Sequence, residues 1–531
     1  MKFIGRLLLG VVATVLALGG ALWLYVNSVN QENRLPRTQG GSYMIPGGAV
    51  LGGPVPRGDG HVVNSAGVAQ YLPIMPPERV MNVHHAETEA ANAAIKTCFW
   101  PTGGRTRSGY LTTDTNSPAV DNQLPDTGNT YQLTAFTIPA GATIVVKGEY
   151  PHVRHWNFVT YGSDGTPRDG LTDRDIVPDA GSQNPFQVGV RRDTPQRHYT
   201  FSIVNGEPAT PRPANTLYTR AAPGEPIGFF MRNYVPDGSK DFYGGVALPS
   251  VELHTADGKV LQGEEACAAT AAPMRGKQPA LSVNPKLWVA ATHLFTSDAS
   301  TAPAKPFEVE PLEMFFNRLH LMLRLFFPSL PTEKFAEQKG GFWSNADTRY
   351  GYKFINQQHG KVYALRGQLP KTPPTWHGDG GPLAKADMSY WSVCSAMGMA
   401  QGMTVDCLYD EMLEPTLDAR RHYTIVVSRA IDRPANATEK CGAVWMEWGN
   451  GDGIIGGSPD YGVLINRNTE PSSDFKHSWF AVERQGMEKQ SMGEYLPYLV
   501  NFHEQKAFEA LGCPVDVSKI DARIATSQSA H

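Results

Sequence analysis

One ordered string of landmarks runs through this chain twice, and nothing else in it restricts the fold as strongly. The first copy reads GEYP (Gly148–Pro151), RHWNF around Trp156, YTFSIV from Tyr199, PAN (Pro213–Asn215) and FFMRNYVP ending at Pro236. The second reads GQLP (Gly367–Pro370), SYWSVC around Trp391, YTIVVS from Tyr423, PAN (Pro434–Asn436) and VLINRNTEP ending at Pro471. Turn, strand and aromatic signals recurring in one order imply two related units on a shared strand plan. Within them apolar and polar residues alternate, as at Tyr199, Phe201 and Ile203, which is the period of a half-buried strand. With 53 Gly, 41 Pro and only 18% charged residues, the chain suits short strands joined by tight turns. The expected fold is mainly β, with two related β-sandwich or jelly-roll-like units and a helical connector.

The 531 residues are enough for more than one core. Lys2 and Arg6 precede the uncharged run Leu7–Val26, about 20 residues, which matches a bilayer-spanning helix. Residues 1–29 therefore read as an uncleaved membrane anchor. A cleaved signal peptide is the alternative, with Gly19 and Ala21 as its small residues. Basic residues before the run put the bulk of the chain outside the cytoplasm, on the periplasmic side of an inner membrane. Residues 30–60 form a Gly/Pro tether. The first unit occupies 61–283, with a helical cap near Arg79–Cys98, and 284–344 is the connector. The second unit is 345–520, and 521–531 is a polar, frayed tail. In the connector, Pro311–Phe327 reads as an apolar helix broken by Arg318, His320 and Arg324. It is either an interfacial membrane helix or, the better fit, a buried link.

Six cysteines suit an exported, disulfide-bonded chain. Six allow fifteen pairings: Cys98 and Cys267 bracket the first unit and could staple it, while Cys394, Cys407, Cys441 and Cys513 belong to the second. A catalytic thiol at Cys394 is the weaker alternative. A net charge of -4 offers no basic footprint for nucleic acid. No cysteine or histidine spacing suggests a metal, and no cofactor motif is legible.

The motifs NADTRYGYKF, GKVYALRGQLPKTP, SYWSVC, YTIVVS with RPAN, and VWMEWG together resemble a family of uncharacterised bacterial envelope proteins with tandem domains behind a signal or anchor. The resemblance spans roughly residues 149–482. It implies β-rich domains facing the cell envelope and carries no catalytic residue over.

The richest chemistry is YPHVRHWNFVTYG. Strand alternation puts His152, Arg154 and Trp156 on one face and His155 on the other. A guanidinium fork beside an aromatic surface suits a carboxylate, a sulfate or a sugar. Asp173, Asp175 and Asp179 could ligate calcium, but their spacing better suits a capped, solvated turn. The second copy differs by an insertion, Lys371–Ser389, that carries His377 and Asp379 among glycines. A His/Asp pair there, or His152, could act as acid and base. Arg232 and Arg467 hold matching places four residues before a proline. They either clamp an anion, with Trp156 and Trp391 nearby, or each pairs with a carboxylate in its own unit. The glycine-rich stretch Trp448–Gly462 reads as a hairpin loop, with Asp452 a candidate calcium ligand. The expected function is binding or processing of a small or glycan-like, possibly anionic, ligand by a membrane-anchored envelope protein. The alternatives are a hydrolase or lyase using the His/Asp loop, and a structural component that binds protein partners.

Overall fold

The computed structural model describes residues 124–272, 306–324, 343–396, 404–448 and 461–529, less positions 127, 163–164, 239, 241–243, 318–319, 322 and 379, together with short strand pairs nearer the N-terminus. The anchor segment, the helical cap, Cys98, Arg318, Asp379 and Asp452 lie outside the described residues. Among the described residues no helix is long and apolar enough to cross a membrane.

The chain is mainly β, as its alternating pattern predicts. In the first half the strands are β1 (Thr102–Thr106), β2 (Gly109–Thr112), β3 (Asn129–Phe136), β4 (Thr143–Glu149), β5 (Val153–Tyr161) and β6 (Pro167–Thr172). They continue with β7 (His198–Val204), β8 (Thr216–Tyr218), β9 (Ile227–Pro236), β10 (Ser250–His254) and β11 (Val260–Gln262), followed by helix α1 (Gly263–Thr270). The second half has β12 (Val309–Pro311), β13 (Glu313–Met314), β14 (Thr348–Asn356), β15 (Val362–Gln368), β16 (Met388–Ala396) and β17 (Thr404–Tyr409). After these come the short helix α2 (Asp410–Leu413), β18 (His422–Ser428), β19 (Val444–Glu447), β20 (Tyr461–Pro471), β21 (Tyr498–Asn501) and helix α3 (Val517–Ser529).

Among the described residues each half contains two large sheets. The first half has orders β6-β5-β9-β3-β1-β2 and β8-β7-β4-β10-β11, and the second has β17-β16-β20-β14-β13 and β19-β18-β15-β21-β12. Read position by position, β6-β5-β9-β3 matches β17-β16-β20-β14, and β8-β7-β4-β10 matches β19-β18-β15-β21. Each half also has one parallel pair, β7/β8 and β18/β19, and in both a PAN turn lies between its two strands.

Each half has its own core between its sheets. Trp156 packs edge-on to Phe158 at 4.9 Å and lies 5.1 Å from the Tyr199 ring. Trp391 lies 5.0 Å from Tyr423. Both tryptophans are buried, so the ligand-contacting role expected of them is corrected: they fill the two cores. Gly351 marks a close approach, since a Cβ there would lie 2.0 Å from Cζ2 of Trp479.

Two expectations about elements fail. The start of Pro311–Phe327 is strand, because β12 pairs with β21 and β13 with β14. Sheet edges supply backbone partners there, and Leu312, Met314 and Phe316 join the second core, so local apolar content is overridden. The tail is not frayed: α3 runs to Ser529, with Ile520 buried and Asp521 paired to Arg366 at 2.5 Å.

Cys394 and Cys407 face each other across β16 and β17 and are bonded, which removes the catalytic-thiol alternative. Cys441 is bonded to Cys513, and Cys267 is also disulfide-bonded.

Candidate functional site

Every residue of β5 and β16 is buried. One face of each strand meets its own core, and polar residues on the other face are covered by the opposite half. The junction is therefore polar, and its two sides are related residue by residue. Asp173, just after β6, accepts the backbone N–H of Trp156 at 2.9 Å, and Asp410, just after β17, accepts that of Trp391 at 3.0 Å. The segments leading into β3 and β14 reach across. Asp126 accepts from Tyr390 at 3.0 Å and Ser392 at 2.5 Å. Asp347 contacts His155 Nε2 at 2.9 Å and accepts from Asn157 at 2.6 Å. In both cases the contacted residues flank the core tryptophan, so each half clasps the other's leading segment.

The symmetry breaks two residues before each tryptophan. Arg154 stands in the first half and Ser389 in the second. Arg154 pairs with Asp410 and Glu411, and its Nε donates to Thr375 Oγ1 at 3.2 Å. Burial alone would lower the Arg154 pKa, but the two carboxylates raise it above the ordinary value. Its expected ligand-binding role is corrected, because its fork is fully occupied within the protein. Trp156 lies in the core, Arg154 points into the junction, and His152 precedes the strand and lies against Arg197, so the three do not share a face. The backbone at Val235 and at Glu470 has φ of 44 and 46, which interrupts the pleat opposite Arg154 and opposite Ser389.

Ser389 donates to Glu470 at 2.7 Å and accepts from Arg174 at 2.9 Å. His155 Nδ1 lies 2.7 Å from Asp173 Oδ2 and 3.5 Å from Glu470 Oε2. Burial opposes a charged imidazole, but Asp173 and Asp347 more than offset this and hold the His155 pKa well above its ordinary value. Burial and the nearby Asp173 push the Glu470 carboxyl up to about 7. Sequence reading placed Asp173 in a solvated turn and gave His155, Asp347 and Glu470 no role. Only the tertiary structure joins these four, although the repeated Asp-Thr leading into β3 and β14 was a visible signal.

Arg232 and Arg467 come together at one cavity of about 100 Å³ in the junction. Its walls include Tyr131, Phe230, Tyr234, Phe315, Trp343 and Tyr350. Arg467 is neutralised: Nη1 is 3.6 Å from Asp126 Oδ2 and 2.9 Å from Cys394 Sγ, and Nη2 donates to the Leu124 carbonyl. Its carboxylate thus comes from the other half, not from its own as expected. For Arg232 the matching acid, Asp347, is engaged by His155 and Asn157. Arg232 Nη2 donates to the Trp343 carbonyl at 2.8 Å, and the guanidinium sits 5.0–5.6 Å from the Phe230, Tyr161 and Tyr131 rings. Its Nη1 is buried without a hydrogen-bond partner. The Tyr161 hydroxyl donates to the Ser344 carbonyl at 3.0 Å, and its oxygen faces the Arg232 guanidinium as a neutral acceptor.

The insertion acts as a strap. Thr375 receives Gly238 N–H and Arg154, Gly380 receives Arg192 N–H at 3.1 Å, and Leu383 bridges to Val188. Trp376 and His377 donate backbone N–H groups to Glu411 at 2.9 and 3.2 Å. His377 is exposed beside a groove of about 670 Å³ that Trp376, Tyr409, Arg433 and Trp445 also line. His152 lies against Arg197 at 2.8 Å, and burial and that arginine lower its pKa to about 3. No hydrogen bond or ion pair joins His152 to His377 among the described residues.

No protein-family model matches the chain, and no curated protein does. Among solved structures it is similar to an uncharacterised protein from Burkholderia cenocepacia, at 12% identity and a TM-score of 0.39, covering 73% of this chain and 83% of that one. It is also similar to the VPA0106 protein from Vibrio parahaemolyticus, at 11% identity and a TM-score of 0.33, covering 71% and 90%. Both scores are below 0.5.

Proposed function

We propose that the protein binds a small amphiphilic carboxylate in the cavity between its halves. The observation that carries this reading is Arg232 Nη1, buried at an aromatic wall without a hydrogen bond, its guanidinium facing the neutral Tyr161 phenol and, among the described residues, paired with no carboxylate. An unsatisfied buried donor costs about 1–3 kcal/mol, and a carboxylate is the group that a guanidinium fork accepts best. Arg467, already paired with Asp126, lines the same cavity, and the aromatic walls suit a short apolar tail. A cavity of about 100 Å³ is smaller than the ~150 Å³ that holds benzene in an engineered core, so the ligand is small. On the sequence reading of an anchored chain, this site faces the periplasm.

The test is thermal unfolding with a panel of short-chain aliphatic carboxylates, each beside its neutral amide. A carboxylate that raises Tm by several degrees, with no rise for its amide and none in Arg232→Met, supports the reading. No shift across the panel, or equal shifts in the variant, rejects it.

A second reading rests on the groove beside Glu411. Trp376, half-buried at its rim, offers a flat apolar face of the kind sugar rings stack on, and Arg433 and Lys440 supply charge. Oligosaccharide binding lost in Trp376→Ala, but retained in Arg232→Met, would identify this groove as the ligand site.

A further inference from the structure

The two related sides of the junction balance charge differently. On one side Asp410 and Glu411 are neutralised by Arg154. On the other, the place of that arginine is taken by Ser389, Asp173 and Glu470 face the imidazole of His155, and Arg174, a third exposed, meets Glu470 only through Nε at 3.5 Å. We propose that His155, Asp173 and Glu470 bind one divalent first-row transition-metal ion, which stands where the guanidinium of Arg154 stands on the other side.

The geometry supports this in four ways. The three donor atoms lie within 4.8 Å of one another. Metal bonds of about 2.0–2.2 Å place tetrahedral donors about 3.3 Å apart, between the 2.7 Å and 3.5 Å that separate His155 Nδ1 from the two carboxylates. The other ring nitrogen, Nε2, is 2.9 Å from Asp347, which is itself held by Asn157 at 2.6 Å. A ligating histidine whose second nitrogen donates to a fixed carboxylate is the usual outer-shell arrangement at metal centres. Asp173 Oδ1 is buried with no partner, on the carboxylate that faces Nδ1. Finally, Ser389 orients Glu470 at 2.7 Å, and the Glu470 side chain keeps 19% of its surface exposed, which leaves a route for the ion. One nitrogen and two carboxylates suit zinc, iron or manganese more than calcium, which takes oxygen ligands only. Asp173 and His155 come from one half and Glu470 from the other, so the ion would also cross-link them.

Tag-free, full-length protein is stripped with chelator and titrated with Co²⁺ and Zn²⁺ separately. The expected result is one equivalent bound, with visible Co²⁺ absorption that Zn²⁺ displaces. His155→Gln and Glu470→Gln should each weaken binding at least 10-fold, and Asp347→Asn 10- to 100-fold. The exposed neighbour variant Asp175→Asn should bind as wild type. Ser389→Arg, which restores the arginine of the other side, should abolish binding while circular dichroism stays native. It keeps the test decisive if a ligand variant fails to fold. No stoichiometric uptake by folded wild type overturns the proposal, as does uptake unchanged in Glu470→Gln and Ser389→Arg.

Discussion

Arg154 was the most conspicuous charged residue in its motif, and its surroundings decide what it does. Its side chain and that of Asp410 are 0% exposed. Removing one partner of such a group strands the other charge, which typically costs about 3–5 kcal/mol. Arg154→Met is therefore expected to lose that much stability in urea unfolding, and a loss below about 1 kcal/mol would show that the cluster is not held as described. Glu447 gives a pH dependence. Burial pushes its carboxyl from 4.5 up to about 8, so the unfolded chain ionises there well before the folded one. Stability from this group is fully present below pH 4.5 and is lost as pH rises towards 8. Glu447→Gln keeps an acceptor for Ala430 N–H, now 3.1 Å away. The variant is expected to be more stable than wild type at pH 8 by roughly 2–4 kcal/mol, with the difference vanishing near pH 4.5. Equal pH slopes for the two proteins would contradict this.

At the scale of elements, strand identity was legible because the period-2 pattern and the Gly and Pro turns are local signals. GEYP and GQLP end β4 and β15, and the two YT motifs lie in β7 and β18. Where elements were misread, a long-range partner was responsible. Residues 309–314 become strand because two sheet edges are open to them, and the tail becomes helix because Ile520 and Asp521 find partners. Gly351 shows how tightly such partners fit. Gly351→Ala would put a methyl 2.0 Å from Trp479, a buried ring whose Nε1 is fixed by Asn466 at 2.6 Å. An overpacking cost of about 3 kcal/mol is expected by denaturant titration, and a near-neutral result would mean that the indole can move away.

For the whole molecule, the swapped contacts of Asp126 and Asp347 make each half complete only with the other. Cleavage at a protease site engineered between residues 273 and 305 should therefore leave one species on gel filtration. Adding Arg154→Met to the cut protein should let the fragments separate. Fragments that part without that substitution would show that the junction contributes little. The same interlock explains why the candidate site was only partly legible. Arg232 and Arg467 were visible as a matched pair, but that they share one cavity follows from how the halves face each other. His155 stood beside a core tryptophan, and no spacing in the chain links it to Asp347 or Glu470.

The sequence by itself determined the two-fold repetition, the strand content and the positions of the turns, because these depend on residues close together in the chain. Only the tertiary structure decided that the two copies are chemically unequal. Arg154 and Ser389 occupy the same strand position, yet one carries a charge that must be neutralised across the junction and the other does not. Burial makes that difference matter: at a solvated surface water would screen it, whereas in the junction each charge needs a named partner.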